Sequence, residues 1–261
     1  LYLIPALVQG GAERQILELM RGVDPARFET SLCIFTDASG VHYDALLPPG
    51  EPRHVLHAKP RDPAALWRFS RILKKERPDI VHSFMDRANF FARIGAQLAG
   101  EPRPAVITSV RGPLMQLRYL VMERALSSLG ERIVTNSAGI ARELTGWARV
   151  PAERVTVIHN IVNLSRFGPP SVDERAAARA RWQLHDGQMM AAFVGMIGIA
   201  KYHLGFVHAL GRLRRRGVIP ASFQVICAGR KRDSLPHKLL PPWVKQQGVG
   251  DLLRFPGAVK D

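Results

Sequence analysis

Short apolar runs alternate with longer amphipathic stretches along most of the chain. The first run, residues 1–4, is typical of a buried strand. Pro5 ends it, because proline cannot donate a hydrogen bond to a sheet ladder. Residues 16–23 then carry apolar side chains at helical spacing and predict a helix with one apolar face. The chain is therefore predicted to start with a strand, a glycine turn and a helix.

This alternation continues to the end of the sequence. Further strands are predicted at residues 29–35, 53–56, 79–82, 105–110, 132–135, 155–158, 190–195, 223–228 and 252–255. Further helices are predicted at residues 63–75, 89–98, 114–129, 138–145, 202–216 and 239–247. Strands that alternate with helices form a parallel sheet covered by helices on both faces. The predicted fold class is therefore α/β and Rossmann-like.

A change of pattern separates two parts of the chain. Phe167 is followed by Gly-Pro-Pro, which breaks the chain, and residues 173–184 are rich in Ala and Arg. We therefore divide the sequence into an N-terminal domain at 1–168, a linker with a short helix at 169–187, and a second unit at 188–261. The second unit has strands for only the opening half of an α/β domain, so an incomplete Rossmann-like domain is predicted.

Polar residues and glycines follow many of the predicted strands. Ligands of parallel sheets bind beyond the carboxyl ends of the strands. This rule selects the candidate site residues Gly10, Gly11, His82, Arg111, Gly112, Asn136, Ser137 and Asn160. A packed or surface histidine is an equally good interpretation of His82. Helix or turn capping is the simpler interpretation of Asn136, Ser137 and Asn160.

The turn between the first strand and the first helix offers a phosphate site. Gly10 and Gly11 leave backbone N–H groups unobstructed beside the positive end of the helix dipole. A tight turn without a ligand explains these residues equally well. The sequence has neither the G-x-G-x-x-G dinucleotide fingerprint nor a G-x-x-x-x-G-K-[ST] P-loop.

Charge narrows the class of partner. The 261 residues carry a formal net charge of +15, and the pI is about 10.8. Such a surface would attract nucleic acid, an acidic membrane surface or a phosphorylated substrate. Genome composition alone is the alternative explanation. Nucleic acid is the least favoured partner, because basic residues are not interleaved with aromatic ones and no recognised binding motif occurs.

The sequence predicts neither a membrane span nor a secretory leader. The longest apolar stretch, residues 189–200, ends at Lys201 and is too short to cross a bilayer. Cys33 and Cys227 lie far apart within apolar runs, so both are predicted to be small core residues rather than zinc ligands or a redox pair. We therefore expect a cytoplasmic protein. We also expect that a few native residues precede Leu1, because the chain opens with strand residues and without Met.

Several segments, taken in order, resemble the glycosyltransferases of family 4, whose two-domain architecture is called GT-B. They are Gly10-Gly-Ala-Glu-Arg14, Asp79-Ile-Val-His82 with Asn89, residues 133–137, Val155-Thr-Val-Ile-His-Asn160, Asn163-Leu-Ser-Arg-Phe167, Phe193-Val-Gly195 with Lys201, and residues 251–257. The resemblance covers almost the whole chain. It implies an acceptor-side N-terminal domain, whose glycine loop faces the sugar-donor phosphates, and a second domain that binds the nucleotide.

The sequence departs from this family at three places. Met196 stands where the family commonly has an arginine that pairs with donor phosphates, and a thioether cannot replace that cation. Arg111 stands where many members have histidine; it stays protonated, so it could hold a phosphate or an oxyanion but could not act as a base. The family's paired glutamates, eight positions apart, would lie beyond Asp261. We therefore expect that the chain ending at Asp261 does not turn over alone.

Transfer of a sugar from a nucleoside diphosphate requires stabilisation of the leaving diphosphate. No Asp-x-Asp motif occurs, so no metal site and no cofactor is predicted, and backbone N–H groups, helix dipoles and fixed cations must act instead. Gly10, Gly11 and Lys201 are the predicted donor-phosphate residues, on opposite sides of an interdomain cleft. The alternative for Lys201 is a solvated lysine, although a helix start is a poor place for a cation. His82 and Arg111 are the candidate catalytic residues.

The sequence as a whole predicts a cytoplasmic glycosyltransferase that is peripheral on the inner face of an anionic membrane. It would move a sugar from a nucleoside-diphosphate-sugar donor to a glycan or lipid-linked acceptor, without a metal ion and, as the resemblance implies, with retention. Basic side chains beside residues 114–129 would meet the membrane. Two alternatives stay open: a non-catalytic nucleotide-sugar or phosphoglycan binding protein, and a basic nucleic-acid-binding protein.

Overall fold

Two compact units make up the chain. The computed structural model describes residues 1–8, 10–37, 47, 50–59, 62–112, 114, 116–164, 167–198, 201–220, 222–230 and 235–259. The units are Leu1–Leu164 and Ser165–Asp261. Each contains a parallel sheet with helices packed against it, which confirms the predicted α/β class. Residues 169–187, predicted as a linker with a short helix, fall within the second unit.

The first unit is a seven-stranded parallel sheet with helices between its strands. The strands are β1 (Tyr2–Ile4), β2 (Leu32–Ile34), β3 (Arg53–Val55), β4 (Ile80–Phe84), β5 (Ala105–Val110), β6 (Arg132–Thr135) and β7 (Val155–Val157). The helices are α1 (Gly11–Gly22), α2 (Ala64–Glu76), α3 (Asp86–Ala99), α4 (Leu117–Leu126) and α5 (Ala138–Gly146). The order in the sheet is β3-β2-β1-β4-β5-β6-β7, and every pair is parallel.

This order places a topological switch between β1 and β4. From β1 the chain proceeds outwards to β2 and β3, and it then crosses back to form β4 on the other side of β1. The connections after β1 and β4 lead to helices on opposite faces of the sheet. They therefore open a crevice at its carboxyl edge, which is where ligands of such folds bind.

Apolar side chains fill both faces of the sheet, because successive strand residues point in opposite directions. On one face Leu3 belongs to a buried cluster with Phe69 of α2 and Phe91 of α3. On the other face the adjacent Ile4 belongs to a cluster with Ile16 of α1. The apolar stripes of these helices are thus removed from water, which provides the main driving force for this architecture.

Both cysteines of the chain are buried and unpaired. Burial raises the pKa of Cys33 to about 12 and that of Cys227 to about 11. Their thiols therefore stay protonated and unreactive near neutral pH. Both are core residues, as predicted from the apolar runs around them.

A buried ion pair helps to anchor α4, whose Tyr119 and Leu120 also pack against an apolar cluster. Glu123 of α4 has no exposed surface, and its carboxylate accepts a 2.7 Å hydrogen bond from Arg93 of α3, which is also fully buried. The guanidinium of Arg93 donates a second hydrogen bond, of 2.9 Å, to the hydroxyl of Thr108 on β5. Charged residues are almost never fully buried unless they are paired, so each of these two depends on the other.

The second unit is built around a smaller sheet. Its strands β8 (Met190–Val194), β9 (Gln224–Ala228) and β10 (Leu253–Gly257) are parallel and lie in the order β10-β9-β8. Helix α6 (Val172–Arg181) precedes them, and a capping box between Ser171 and Glu174 fixes its start. Helices α7 (His203–Arg215) and α8 (Leu235–Gln247) cover a core that includes Val207, Leu210 and Val225.

Two predicted elements are longer than the observed ones by more than two residues. The strand predicted at 29–35 is shortened to β2, and before it the hydroxyl of Thr30 donates a 2.5 Å hydrogen bond to the carboxylate of Glu51. The helix predicted at 114–129 is shortened to α4, and its final turn, Ser127–Leu129, tightens into a 3₁₀ helix. Such tightening is common at the ends of α-helices.

We predict that Arg93→Met destabilises the first unit by about 3–5 kcal/mol, because it leaves the carboxylate of Glu123 buried without a partner. Urea unfolding curves will measure the change. The matched control is Arg103→Met, which removes a half-exposed arginine and should change stability by no more than about 0.5 kcal/mol.

The double variant Arg93→Met with Glu123→Leu should recover much of the loss, because it leaves no buried charge. Equal stability of Arg93→Met and Arg103→Met would contradict the view that this ion pair anchors α4.

Candidate functional site

The carboxyl edge of the first sheet brings together residues from three strands. Arg111 follows β5 directly, and its Nη2 donates a 2.7 Å hydrogen bond to Oδ1 of Asn160, which lies beyond β7. Its Cζ lies 5.5 Å from the ring centre of Phe84, the last residue of β4. Arg111 is half-buried, and burial lowers its pKa. Two of the predicted site residues, Arg111 and Asn160, are therefore in contact.

His82 lies inside β4 rather than after it, which corrects the prediction. β4 continues through Ser83 to Phe84. The polar Ser83 does not end the strand, because it is fully buried and its hydroxyl donates a 2.8 Å hydrogen bond to Oδ1 of Asn89. Asn89 is itself fully buried within α3, and it donates to the backbone of β5 at Ser109. It is a structural residue that ties α3 to two strands.

The side chain of His82 is neutral at pH 7. Its Nε2 lies 2.9 Å from the hydroxyl of Ser109, and its ring packs between Tyr2 and Phe84. Burial, and then the charge of Arg111, lower the pKa of His82 to about 4. A histidine of this kind can give or accept a hydrogen bond, but it is a weak base.

A hydrogen-bonded amide fixes the segment that follows β7. Gln15 of α1 is buried, and its Nε2 donates to the carbonyl of Ile161 at 2.9 Å, while its Oε1 accepts from the N–H of Ile161 at 2.6 Å. Both backbone hydrogen-bonding groups of Ile161 are thus satisfied by one side chain. The neighbouring Asn160 is therefore held at a fixed place beside the crevice.

The glycine turn after β1 already contains a carboxylate. Gly10 is extended and caps α1, which begins at Gly11. The side chain of Glu13 folds back over Gly10, so that a Cβ at this position would lie 2.3 Å from Oε2 of Glu13. Glu13 is buried, and burial raises its pKa. The positive end of α1 thus faces an internal acid. A Cβ at Gly11 would meet nothing within 4 Å among the described residues.

The end of β6 holds the remaining two candidates of the first unit. The hydroxyl of Ser137 accepts a 3.3 Å hydrogen bond from the N–H of Ile140, so Ser137 caps α5. Nδ1 of His159 lies 3.1 Å from the carbonyl of Asn136. Within the described part of the chain, the buried Oδ1 of Asn136 has no hydrogen-bond partner.

Glycines end all three strands of the second unit. Gly195, Gly229 and Gly257, which we call the glycine ledge, lie side by side at the carboxyl ends of β8, β9 and β10. A Cβ at Gly229 would lie 1.9 Å from the carbonyl oxygen of Gly195, so only glycine fits there. The ledge N–H groups of Gly195 and Gly229 are bonded to neighbouring strands. A ligand can therefore come close to the backbone of the ledge, but the N–H groups of Gly195 and Gly229 are not free to bind it.

Lys201 lies over the glycine ledge. Its aliphatic carbons come within 3.3 Å of the position of a Cβ on Gly195. Lys201 is exposed and lies two residues before α7, and Met196, next to the ledge, is 50% exposed. A lysine at the positive end of a helix lacks the favourable dipole that it would find at the other end.

Neither a metal cluster nor a membrane-spanning helix is found in the part of the chain that the structure describes. No group of three or more His, Cys, Asp or Glu side chains there could hold a metal ion. No helix there has the length and apolar character needed to cross a bilayer.

The sequence model of Glycosyltransferase Family 4 matches residues 9–166, which is more than half of the chain. The chain belongs to glycosyltransferase family 4. The match includes the crevice and every candidate residue of the first unit, so the resemblance seen in the sequence is confirmed.

The relatives of this family 4 chain include proteins that are named as glycosyltransferases. A D-inositol 3-phosphate glycosyltransferase of Streptomyces bingchenggensis is 32% identical over 143 residues, which is 52% of this chain and 30% of that protein. A UDP-Gal:alpha-D-GlcNAc-diphosphoundecaprenol alpha-1,3-galactosyltransferase of Escherichia coli is 25% identical over 174 residues, which is 64% of this chain and 44% of that protein. The family 4 chain thus spans less than half the length of either relative.

A solved structure extends the similarity to the second unit. The Anabaena protein HepE, in complex with UDP and glucose, is similar with a TM-score of 0.79 at 14% identity. The similarity covers 99% of the family 4 chain and 70% of that chain. It confirms the predicted GT-B-like α/β fold.

Sequence reasoning missed three residues that shape the site of this family 4 chain. Glu13 and Gln15 were missed because only the apolar positions of α1 were used to predict that helix. A buried Glu three residues after the helix cap was the available signal, because that spacing lets the side chain reach back. Gly229 follows a predicted strand in the same way as Gly195, so the rule that selects carboxyl ends could have found it.

We predict that His82→Gln reduces the loss of stability between pH 6.5 and pH 4. The folded pKa of His82 is lowered to about 4, so the unfolded chain binds more protons in this window. Stability from His82 is thus complete above pH 6.5 and falls as the pH falls, by about 3 kcal/mol at most. Urea unfolding at several pH values will measure this loss.

The matched control is His208→Gln, which replaces an exposed histidine of α7 and should keep the pH dependence of the unchanged protein. If His82→Gln loses as much stability as the unchanged protein on acidification, the buried neutral histidine is not responsible.

Proposed function

We propose that the protein transfers a sugar from a nucleoside-diphosphate-sugar donor to a glycan or lipid-linked acceptor, with retention and without a metal ion. The family match over residues 9–166 carries the proposal, because it includes every candidate site residue of the first unit. The names of the Streptomyces and Escherichia relatives and the UDP bound by HepE support the donor and acceptor classes. Retention rests on the resemblance to the family.

In this proposal the donor diphosphate lies over the glycine ledge and is neutralised by Lys201. The absence of a side chain at Gly195 and Gly229 lets a phosphate approach the backbone. Because the N–H groups of these two glycines are already bonded, the stabilising charge has to come from a side chain. Lys201 is the cation in contact with the ledge, and it would stabilise the charge that develops on the leaving diphosphate.

The glycine turn after β1 has a second part in this proposal. Gly10 is filled by the chain's own Glu13, whereas the Cβ direction of Gly11 is open among the described residues. A phosphate would therefore approach at Gly11 rather than at Gly10. Glu13 would stay neutral or turn away, because two anions would repel each other at one helix end.

We predict that Lys201→Ala lowers the rate of sugar transfer about ten- to a hundredfold, because a charge-assisted hydrogen bond contributes roughly 1.5–3 kcal/mol. Transfer from radiolabelled UDP-sugars to a lipid extract by the intact native protein is the measurement, together with a melting curve. The matched control is Lys245→Ala, which removes an exposed lysine from the last turn of α8. Full activity of Lys201→Ala would show that this lysine is only solvated.

We further propose that α4 places the protein on an anionic membrane, on its cytoplasmic face. Two apolar residues of α4 point away from the core: Leu117 is 73% and Val121 is 55% exposed. Arg118 and Arg124 are exposed on the same helix. Apolar residues flanked by cations suit the interface of an acidic bilayer, where each cation contributes about 1 kcal/mol.

We predict that the protein floats with liposomes that contain phosphatidylserine at low salt and is released at high salt. Leu117→Ser should reduce flotation, whereas Leu98→Ser, which changes a residue of α3 that is 52% exposed, should not. Equal binding to neutral vesicles would contradict the electrostatic part of the proposal. Preferential binding to duplex DNA would favour the nucleic-acid alternative.

A further inference from the structure

We propose that Arg111 and Asn160 form a binding subsite for a phosphate group of the acceptor, so that the protein selects a phosphorylated or pyrophosphate-linked acceptor. The inference rests on the proposed function and adds the chemical class that the acceptor side recognises. It depends on one juxtaposition, a half-buried guanidinium that is held by an amide oxygen and has no acidic partner among the residues the structure describes.

The charge of Arg111 is not neutralised within the described residues. None of the ion pairs found among them includes Arg111, and burial is the sole cause of its lowered pKa. The buried Arg93, by contrast, is paired with Glu123. A cation that has lost part of its hydration without gaining an anion is costly, and a bound anion would remove that cost.

The guanidinium is also held in a fixed orientation. One of its nitrogen atoms donates to Oδ1 of Asn160 at 2.7 Å, and its plane lies near the ring of Phe84. Asn160 precedes Ile161, whose peptide is fixed by both hydrogen bonds of Gln15. Only one of the five N–H donors of Arg111 is used by Asn160, so the remaining fork can hold two oxygens of one phosphate.

The residues around Arg111 suit a ligand that has both a phosphate group and a hydroxyl group close to it. His82 is neutral at pH 7, because its pKa is lowered to about 4, and it therefore adds hydrogen bonds without adding a negative charge. β6 lies between β5 and β7, so the bond from Arg111 to Asn160 passes over the end of β6, where Asn136 lies. The buried Oδ1 of Asn136 has no partner among the described residues and could accept from a substrate hydroxyl.

A donor phosphate and an acceptor phosphate have the same chemistry, and we assign this subsite to the acceptor. The proposed donor site already has a cation, Lys201, and a backbone shaped for close approach, at the glycine ledge. Arg111 belongs to the other unit and has its own supports in β4, β5, α1 and the segment after β7. The competition between UDP and phenyl phosphate described below tests this assignment.

Calorimetry on the intact native protein tests this inference, with phenyl phosphate as the acceptor probe and UDP as the donor probe. Phenyl phosphate should bind equally well with and without saturating UDP. Arg111→Met should weaken phenyl phosphate binding about ten- to a hundredfold, as expected for loss of a charge-assisted hydrogen bond. Arg111→Lys should lose less, because it keeps the charge but not the fork, and Asn160→Ala should also weaken binding. None of these variants should change UDP affinity.

Arg103→Met is the matched control and should bind both probes like the unchanged protein, and melting curves will show that each variant is folded. The inference is overturned if Arg111→Met binds phenyl phosphate normally, if UDP displaces phenyl phosphate, or if Arg111→Met loses UDP affinity instead. A last outcome is that the unchanged protein fails to bind UDP while phenyl phosphate binding still requires Arg111. That result would overturn the proposed transfer reaction and leave Arg111 as a phosphate ligand.

Discussion

Two hydrogen bonds from the amide of Gln15 join parts of the first unit that are 146 residues apart in the chain. They fix the peptide of Ile161, and this peptide fixes Asn160. Asn160 in turn orients Arg111, whose charge contributes to keeping His82 neutral. The electrostatics of the crevice therefore depend on one uncharged side chain of α1 that has no reactive chemistry of its own. Each member of this hydrogen-bonded chain positions the next one.

The alternation of apolar runs with amphipathic stretches was enough to predict the sheet. β5 and β6 were predicted residue for residue, because turn-forming or charged residues bound each run on both sides. The rule that ligands bind at carboxyl ends selected Arg111 and Asn160, which the fold brings into contact. Strand order itself follows from short right-handed crossovers, which leave few arrangements for such a chain.

The rest depends on contacts that no local pattern encodes. The strand was predicted to end at His82, yet β4 continues through Ser83, whose hydroxyl bonds to Asn89 on the following helix. The helix at 114–129 was predicted from its apolar residues, whereas the fully buried residue of α4 is Glu123, which meets Arg93 of α3. In each case a polar side chain pairs with one on another element, and the spacing of apolar residues does not predict that pairing.

The hydrogen bond between Arg111 and Asn160 also has an evolutionary consequence. The two positions are 49 residues apart, but a long cation at the first is useful only while the second presents an oxygen. With a shorter side chain at position 111, position 160 would no longer need to present an oxygen. A change at 160 alone would leave the guanidinium without the hydrogen bond that orients it. Substitutions at these positions are therefore expected to be inherited as a pair, so that preference for an acceptor changes in coupled steps rather than one residue at a time.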